Sequence, residues 1–285
     1  MTRRRGVARA VDDYAAGSAL LIISLEACTC SLRGGAGWKG SCRTRRSIPV
    51  STWSGAPQLV HVGAGADLIP GDPSTAGHGT LVAALIADSA PSADVEPIRM
   101  GGTDSTEWDA LHALARAVDI DADVVTLSYR QILVDQPCAA CGLVRQAARS
   151  EVFEKIVDWA VTAGGQDRAV LVAAGNDGVG VIARPASYSG AIPVTALDTT
   201  RKSLASFANW DASGQLSVIA LPGDDVARGT QTNRTYAGTS FATAYAAALY
   251  AEAMARTGTT NARHVTTQLC SGASVVSYAA VPTLI

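Results

Sequence analysis

Three short stretches of the sequence contain side chains that could act together in nucleophilic catalysis. His78 lies in "AGHGTLVAALIA", directly before an apolar helical pattern, and Asn176 follows a buried-strand pattern in "VLVAAGNDG". Ser240 follows a Gly-Thr turn in "YAGTSFATA" and precedes a run of small residues. An imidazole, a carboxamide and a hydroxyl can serve acyl transfer as general base, oxyanion donor and nucleophile.

Each of these residues also has an ordinary structural interpretation. A histidine at a helix entry often packs or caps, and an asparagine beside glycines is often a turn residue. A serine before a helix is often an N-cap. Taken one at a time, the structural interpretation is favoured for each residue, whereas the three together complete a catalytic set.

The elements around these residues alternate between strand and helix patterns from Asp94 onward. Helices are predicted at 103–118, 143–163 and 240–258, and apolar strands are predicted at 94–100, 122–130, 168–176, 191–198 and 215–223. Strands separated by helices indicate right-handed crossovers and a mainly parallel sheet with helices on both faces. Ligands of such α/β folds bind beyond the C-terminal ends of the strands, which is where Asn176 stands.

The order and the flanking residues of the three stretches resemble the subtilisin-like serine proteases, or subtilases. The family histidine lies in a G-H-G-T-x-V-A pattern, which 77–83 matches, and its oxyanion asparagine lies in A-A-G-N, which 173–176 matches. The family nucleophile lies in G-T-S-x-A, which 238–242 matches. The segments "RPASYSGAIPVTALD", "SFAN" and "ALPG" also occur in the expected order, so that the resemblance extends over residues 65–255.

The resemblance implies a three-layer α/β fold and a serine endopeptidase that forms an acyl-enzyme on Ser240. His78 would act as base and then as acid, and the Asn176 amide and the Ser240 backbone N–H would bind the oxyanion. The helix dipole at Ser240 would favour negative charge at that point. The expected substrate is a peptide or protein. The mechanism requires no cofactor or metal; structural calcium is common in the family, but no acidic ligand cluster for it is visible in the sequence.

One part of the family pattern is missing. The subtilase triad includes an aspartate on an early strand, whereas residues 14–66 contain no aspartate. Glu26 in "IISLEAC" is the first candidate for the triad acid, with a side chain one methylene longer. Asp67 and Asp72 are interpreted as loop residues, and together with the unplaced Asp12 and Asp13 they stay lesser candidates. We expect no carboxylate within hydrogen-bonding reach of the distal nitrogen of His78. Two functions therefore stay open: a peptidase, and a catalytically impaired subtilase homologue that binds peptides in the same cleft.

A second departure from the family pattern follows the strand predicted at 122–130. Subtilases have S-L-G in the cleft-lining segment where this chain has Ser128, Tyr129 and Arg130. The resemblance implies a substrate-binding role for these three residues. Arg130 either occludes the specificity pocket, favours acidic substrate residues or faces solvent at the strand end.

Composition argues against several other classes of protein. The 285 residues are 48% hydrophobic and 17% charged with a net charge of −2, which predicts a sizeable core and provides no electrostatic footprint for nucleic acid. No apolar run approaches the roughly 20 residues of a membrane span. Six cysteines permit disulfides in an oxidising compartment, and "CAAC" lacks the further ligands that a zinc site needs.

One domain is predicted, with an irregular N-terminal portion at 1–60 and a subtilisin-like peptidase domain at 61–285. Subtilases are mostly secreted, although the basic start and short apolar stretch of this chain are a poor match to a secretory signal. No sequence pattern indicates the oligomeric state or the pairing of the cysteines.

Overall fold

A computed structural model of the chain describes residues 10–11, 19–24, 66–67, 77–90, 93–100, 106–131, 149–224, 226–227 and 235–271. Within these ranges the strands are β1 (Ala10–Val11), β2 (Ala19–Ser24), β3 (Ala66–Asp67), β4 (Asp94–Arg99), β5 (Val124–Leu127), β6 (Ala169–Ala173), β7 (Ala191–Leu197), β8 (Ile219–Pro222), β9 (Val226–Ala227) and β10 (Thr235–Ala237). The helices are α1 (Gly77–Ser89), α2 (Glu107–Asp119), α3 (Glu151–Thr162), α4 (Thr239–Thr257) and α5 (Ala262–Cys270), with a 3-10 turn at Ala163–Gly165.

Seven strands form the central sheet, in the order β3-β4-β2-β5-β6-β7-β8, and a small sheet has the order β1-β10-β9. In the central sheet β5, β6, β7 and β8 are parallel, and β3 is parallel to β4. The strand β2 is antiparallel to both of its neighbours, with Leu20 paired to Leu127 and Ile23 paired to Val124. The predicted mainly parallel α/β sheet is confirmed, and β2 is its exception.

Helices cover both faces of the central sheet, as the sequence predicts. One core contains residues of α1, α4 and α5, and the other contains residues of α2 and α3. Successive residues of β5 serve the two cores in turn: Val124 faces the first, and Val125 and Leu127 face the second. Because both faces are buried, the strand is apolar throughout rather than alternating.

The helix α4 is buried along most of its length because its side chains are small. Ala242, Ala246 and Ala251 are at most 1% exposed, and the helix packs against β5, β6, β7 and β8 as well as α1. It begins at Thr239, one residue before the predicted start, and ends at Gly258, whose φ of 67° is left-handed. Glycine is the residue that adopts this conformation most readily, which confirms the predicted helix end.

Three helices differ from the sequence prediction for local reasons. The helix α3 begins at Glu151 rather than at 143, because Ser150 is its N-cap and accepts from the backbone N–H of Phe153 at 3.2 Å. The helix α2 begins later than predicted because Thr106 and Asp109 form a capping box, in which each side chain accepts from the backbone N–H of the other residue. The helix α5 was not predicted; it begins after Asn261, whose side-chain oxygen accepts from the backbone N–H of His264 at 2.7 Å. The proposed domain boundary at residue 60 stays a prediction.

Candidate active site

Ser240 is the second residue of α4 and is 5% exposed. The N-cap position belongs to Gly238, so that Ser240 is not the capping serine of the ordinary structural interpretation. The turn before the helix is tied to β8, since the N–H of Gly238 donates to the carbonyl of Gly223 at 2.8 Å. In the first helical turn the backbone N–H groups lack helical partners, so the N–H and the hydroxyl of Ser240 stand at the positive end of α4.

His78 is the second residue of α1, and its side chain lies beside the first turn of α4. The imidazole meets the ring of Phe241 edge-on, with 5.6 Å between ring centroids and 69° between planes. Phe241 directly follows Ser240, is 1% exposed and contacts Tyr236 on a second side at 5.9 Å. The structure therefore brings His78 next to the residue that follows the predicted nucleophile.

Asn176 is bound directly to the residue that precedes Ser240. Its Oδ1 accepts from the backbone N–H of Thr239 at 2.8 Å and from the Thr239 hydroxyl at 2.9 Å. A backbone N–H can only donate, so the Asn176 atom that faces Thr239 must be the oxygen. This arrangement commits the oxygen of the carboxamide to α4 and leaves its NH₂ group available to a ligand.

Asn209 supports the turn that carries Asn176 through hydrogen bonds. No role for this residue is predicted from the sequence. Asn209 is fully buried, and its backbone N–H donates to the carbonyl of Gly175 at 3.0 Å. Its Oδ1 accepts from the N–H of Asp177 at 2.8 Å, and its Nδ2 donates to the Asp177 carboxylate at 3.1 Å. Gly175 has a φ of 111°, and a Cβ there would lie 2.4 Å from Asn209 Nδ2, so the turn requires glycine. The sequence signal for Asn209 is the "SFAN" segment, in which the asparagine is one position of a family pattern.

The three residues predicted to bind substrate point in different directions. Ser128 is 8% exposed beyond the end of β5, and its hydroxyl makes no hydrogen bond within the described part of the chain. The side chain of Tyr129 is 7% exposed in the core beneath α2 and α3, with its ring 6.2 Å from that of Phe153, and its substrate-binding role stays a prediction. Burial, assisted by the charge of Glu107, raises the pKa of Tyr129 to about 12.

Arg130 does not simply face solvent at the strand end, which was one of its three interpretations. Its Nη1 lies 2.9 Å from Oδ1 and 3.1 Å from Oδ2 of Asp177, the residue after Asn176. The side chains of Arg130 and Asp177 are 25% and 22% exposed. The ion pair therefore joins the segment beyond β5 to the turn beyond β6.

The structure does not test the triad-acid hypothesis for Glu26 directly, but it gives the direction of the strand that precedes this residue. That hypothesis needs the preceding strand to run parallel to β5, so that its C-terminal end reaches the edge where Asn176 lies. The strand β2 runs the other way, with Ile23 beside Val124 at the start of β5, so its C-terminal end lies at the opposite edge of the sheet. Glu26 itself lies outside the described residues, and the expectation that no carboxylate reaches the distal nitrogen of His78 stays a prediction.

The described ranges offer neither a metal-binding cluster nor a membrane-spanning helix. Among those residues, no group of three or more His, Cys, Asp or Glu side chains is arranged to hold a metal ion. No helix within them is both long enough and apolar enough to cross a membrane. Cys270 is exposed and free, and the other five cysteines lie outside the described residues.

Comparison with known proteins agrees with this fold. Residues 66–279 match the model of the subtilase family, Peptidase S8. Subtilisin BL of Lederbergia lenta is 30% identical over 203 residues, which cover 66% of this chain and 68% of that protein. M-protease of Shouchella clausii (strain KSM-K16) is 30% identical over 207 residues, which cover 67% of this chain and 49% of M-protease.

Solved structures share the fold at lower identity. The patellamide maturation protease PatA has a TM-score of 0.53 and 23% identity, covering 74% of this chain and 78% of that one. Sphericase has a TM-score of 0.50 and 20% identity, covering 63% of this chain and 60% of its own. The chain belongs to the subtilase family of serine proteases, whose substrates are peptides.

Proposed function

We propose that this protein is a serine endopeptidase that hydrolyses peptide bonds through an acyl-enzyme on Ser240. The observation that carries the proposal is the pair of hydrogen bonds from Thr239 to Asn176 Oδ1, at 2.8 and 2.9 Å. These bonds fix the carboxamide against the residue next to Ser240, so that its NH₂ group and the Ser240 N–H can act on one carbonyl oxygen. Such preorganised donors stabilise an oxyanion without rearrangement during the reaction.

In the proposed reaction, Ser240 Oγ attacks the carbonyl carbon of the scissile peptide bond while its proton passes to a ring nitrogen of His78. The carbonyl oxygen becomes an oxyanion that accepts hydrogen bonds from Asn176 Nδ2 and the Ser240 N–H. When the intermediate collapses, the C–N bond breaks and His78 returns the proton to the departing amine. Water, deprotonated by His78, then hydrolyses the acyl-enzyme and restores the Ser240 hydroxyl. No cofactor enters this scheme.

Two neighbours of Ser240 would act as positioning residues in this scheme. Thr239 Oγ1 donates to Asn176 and accepts from the N–H of Gly175 at 3.3 Å, which links the nucleophile's turn to the turn beyond β6. Phe241 confines the imidazole of His78 through the edge-on ring contact. An edge-on aromatic contact contributes about 0.5–1.5 kcal/mol beyond area burial. That is enough to bias the ring orientation but not to replace the charge of a triad carboxylate.

A second candidate function is a catalytically impaired subtilase homologue that binds peptides in the same cleft. The direction of β2 favours it, because the strand before Glu26 ends at the sheet edge opposite Asn176. In subtilisin, loss of the triad aspartate alone lowers turnover by about 3 × 10⁴. The aspartate normally holds the imidazole tautomer and stabilises the imidazolium.

A fluorophosphonate probe distinguishes the two candidates, since it labels only an activated serine. We expect stoichiometric labelling of the purified protein, mapped to Ser240 by peptide mass spectrometry, and none in a Ser240→Ala variant. A Ser128→Ala variant is the matched control, because it removes another buried hydroxyl near the same sheet edge and should still be labelled. Unlabelled protein that still binds peptides would favour the impaired homologue, and labelling that survives Ser240→Ala would end the nucleophile assignment.

A further inference from the structure

The end of β5 and the end of β6 lie side by side, and Arg130 connects them. The strands are parallel neighbours, with Leu127 paired to Val172. The Arg130 guanidinium contacts Asp177, one residue from Asn176, and consecutive Cα atoms are 3.8 Å apart. A peptide whose carbonyl oxygen rests on Asn176 Nδ2 would therefore bind beside the turn that Arg130 contacts.

In the ion pair of Arg130 and Asp177, the arginine keeps more unused hydrogen-bonding capacity than the aspartate. Both oxygens of Asp177 are engaged, since Oδ1 and Oδ2 contact Arg130 Nη1 and Oδ2 also accepts from Asn209 Nδ2. A guanidinium has five N–H donors, and the contacts with Asp177 all involve Nη1. The pair therefore offers an incoming group more donors than acceptors. A planar carboxylate matches such donors, because it can accept two parallel bonds from a guanidinium.

The segment that carries Arg130 is anchored on both sides. The backbone N–H of Gln131 donates to the carbonyl of Arg184 at 2.8 Å, and its Nε2 donates to Glu107 Oε2 at 2.7 Å. On the other side, Asp177 is held by the fully buried Asn209. Anchoring reduces the ordering cost that a mobile arginine would incur when it binds a ligand.

We propose that Arg130 is a specificity-determining residue that selects peptides with a glutamate or aspartate at the residue whose carbonyl is attacked. The proposal rests on the proposed function, because it takes Asn176 as the oxyanion donor. The charges of Arg130 and Asp177 offset each other, so the preference comes from the guanidinium donors that Asp177 does not engage, while both Asp177 oxygens already accept hydrogen bonds. A charge-assisted bond of this kind corresponds to about a ten- to hundredfold preference for Glu over Gln.

The test measures peptide binding to the Ser240→Ala protein, which cannot turn over its ligand. Three fluorescein-labelled hexapeptides, Ala-Ala-Pro-X-Ala-Ala with X as Glu, Gln or Lys, are titrated by fluorescence anisotropy at low ionic strength. We expect the Glu peptide to bind ten- to hundredfold more tightly than the Gln peptide, and the Lys peptide to bind most weakly. Added salt should reduce the preference, since the pair is partly exposed.

Variants of the Ser240→Ala protein assign the preference to Arg130. Arg130→Gln should abolish it, and Arg130→Lys should keep part of it, because the charge persists without the planar fork. Arg149→Gln is the matched control, since Arg149 is an exposed arginine paired with Glu154 on α3, and it should leave the preference unchanged. Equal binding of the Glu and Gln peptides, or a preference that survives Arg130→Gln, would overturn the proposal. If none of the three peptides binds, the proposed function itself fails, and this inference fails with it.

Discussion

Asn209→Ala should impair catalysis although Asn209 contacts neither Ser240 nor His78. Asn209 is fully buried and makes four hydrogen bonds to the turn that carries Asn176: one to the carbonyl of Gly175 through its backbone, and three through its side chain, two with Asp177 and a longer one from the N–H of Val179 at 3.5 Å. The alanine variant keeps the backbone bond and removes the two bonds with Asp177 and the longer one with Val179. We therefore expect the turn to persist and its orientation to loosen.

The structure sets the size of the effect. Leaving a buried donor unsatisfied costs about 1–3 kcal/mol, and Asp177 is exposed enough for water to replace one of its two lost bonds. We therefore expect the free energy of unfolding to fall by about 1–3 kcal/mol. A displacement of the order of 1 Å at a catalytic group can cost about 10²-fold in rate, so kcat should fall about 10- to 100-fold. KM should change little, because Asn209 orients a group that binds the oxyanion of the transition state rather than the unreacted substrate.

The assay is steady-state peptide hydrolysis paired with urea unfolding of the same samples. Asn209→Asp is the companion variant, since it keeps an acceptor for the Asp177 N–H but sets a carboxylate against that of Asp177. Like charges raise the pKa of such a pair, so the variant should lose stability as the pH rises above about 4 and regain it on acidification. A full-rate Asn209→Ala variant with lowered stability would refute the reasoning, because Asn209 would then be structural only.

Three further predictions follow from other described contacts. Asn176→Ala should lower kcat by about 10²–10³ in the same hydrolysis assay, and an unchanged rate would make Asn176 a turn residue only. Arg168→Met should destabilise the fold by about 1–3 kcal/mol in urea, because the buried guanidinium donates to three backbone carbonyls that would lose their donor, while its partner Asp121 is exposed to water; an unchanged stability would argue against this role. Burial raises the pKa of both Tyr129 and Tyr250 to about 12, above the usual value near 10, so the stability they contribute is complete below pH 10 and is lost between about pH 10 and 12. The corresponding phenylalanine variants should show less alkaline loss in pH-dependent unfolding, and an unaltered pH profile would argue against this cause.

The candidate catalytic residues could be named from the sequence because each lies in its own local motif, and their catalytic roles stay predictions. His78 and Ser240 each lie at the N-terminus of a helix and Asn176 follows a buried strand, so short motifs determine their positions. The helix α4 could likewise be read from its alanines and from Gly258. These features depend on residues that are neighbours in the chain.

The features that could not be predicted depend on partners far apart in sequence or on symmetric patterns. An apolar strand such as Ala19–Ser24 has the same composition in either direction, so the sequence could not predict that it pairs antiparallel with β5. Because the residues of β5 are apolar on both faces, the sequence does not indicate that the side chain of Tyr129 packs in the core formed with α2 and α3. Asn209 and Arg130 bind a turn that is 32 and 47 residues away from them, respectively, and no local pattern encodes such contacts.

A crystal structure of the protein after reaction with the fluorophosphonate probe would show whether the proposed catalytic groups act on one ligand. We expect a phosphonyl group bonded to Ser240 Oγ, with its oxygen about 2.7–3.1 Å from both Asn176 Nδ2 and the Ser240 N–H nitrogen. His78 should lie within hydrogen-bonding distance of the modified Oγ. A phosphonyl oxygen that faces solvent, with Asn176 turned away from it, would contradict the claim that Ser240, His78 and Asn176 form one catalytic unit.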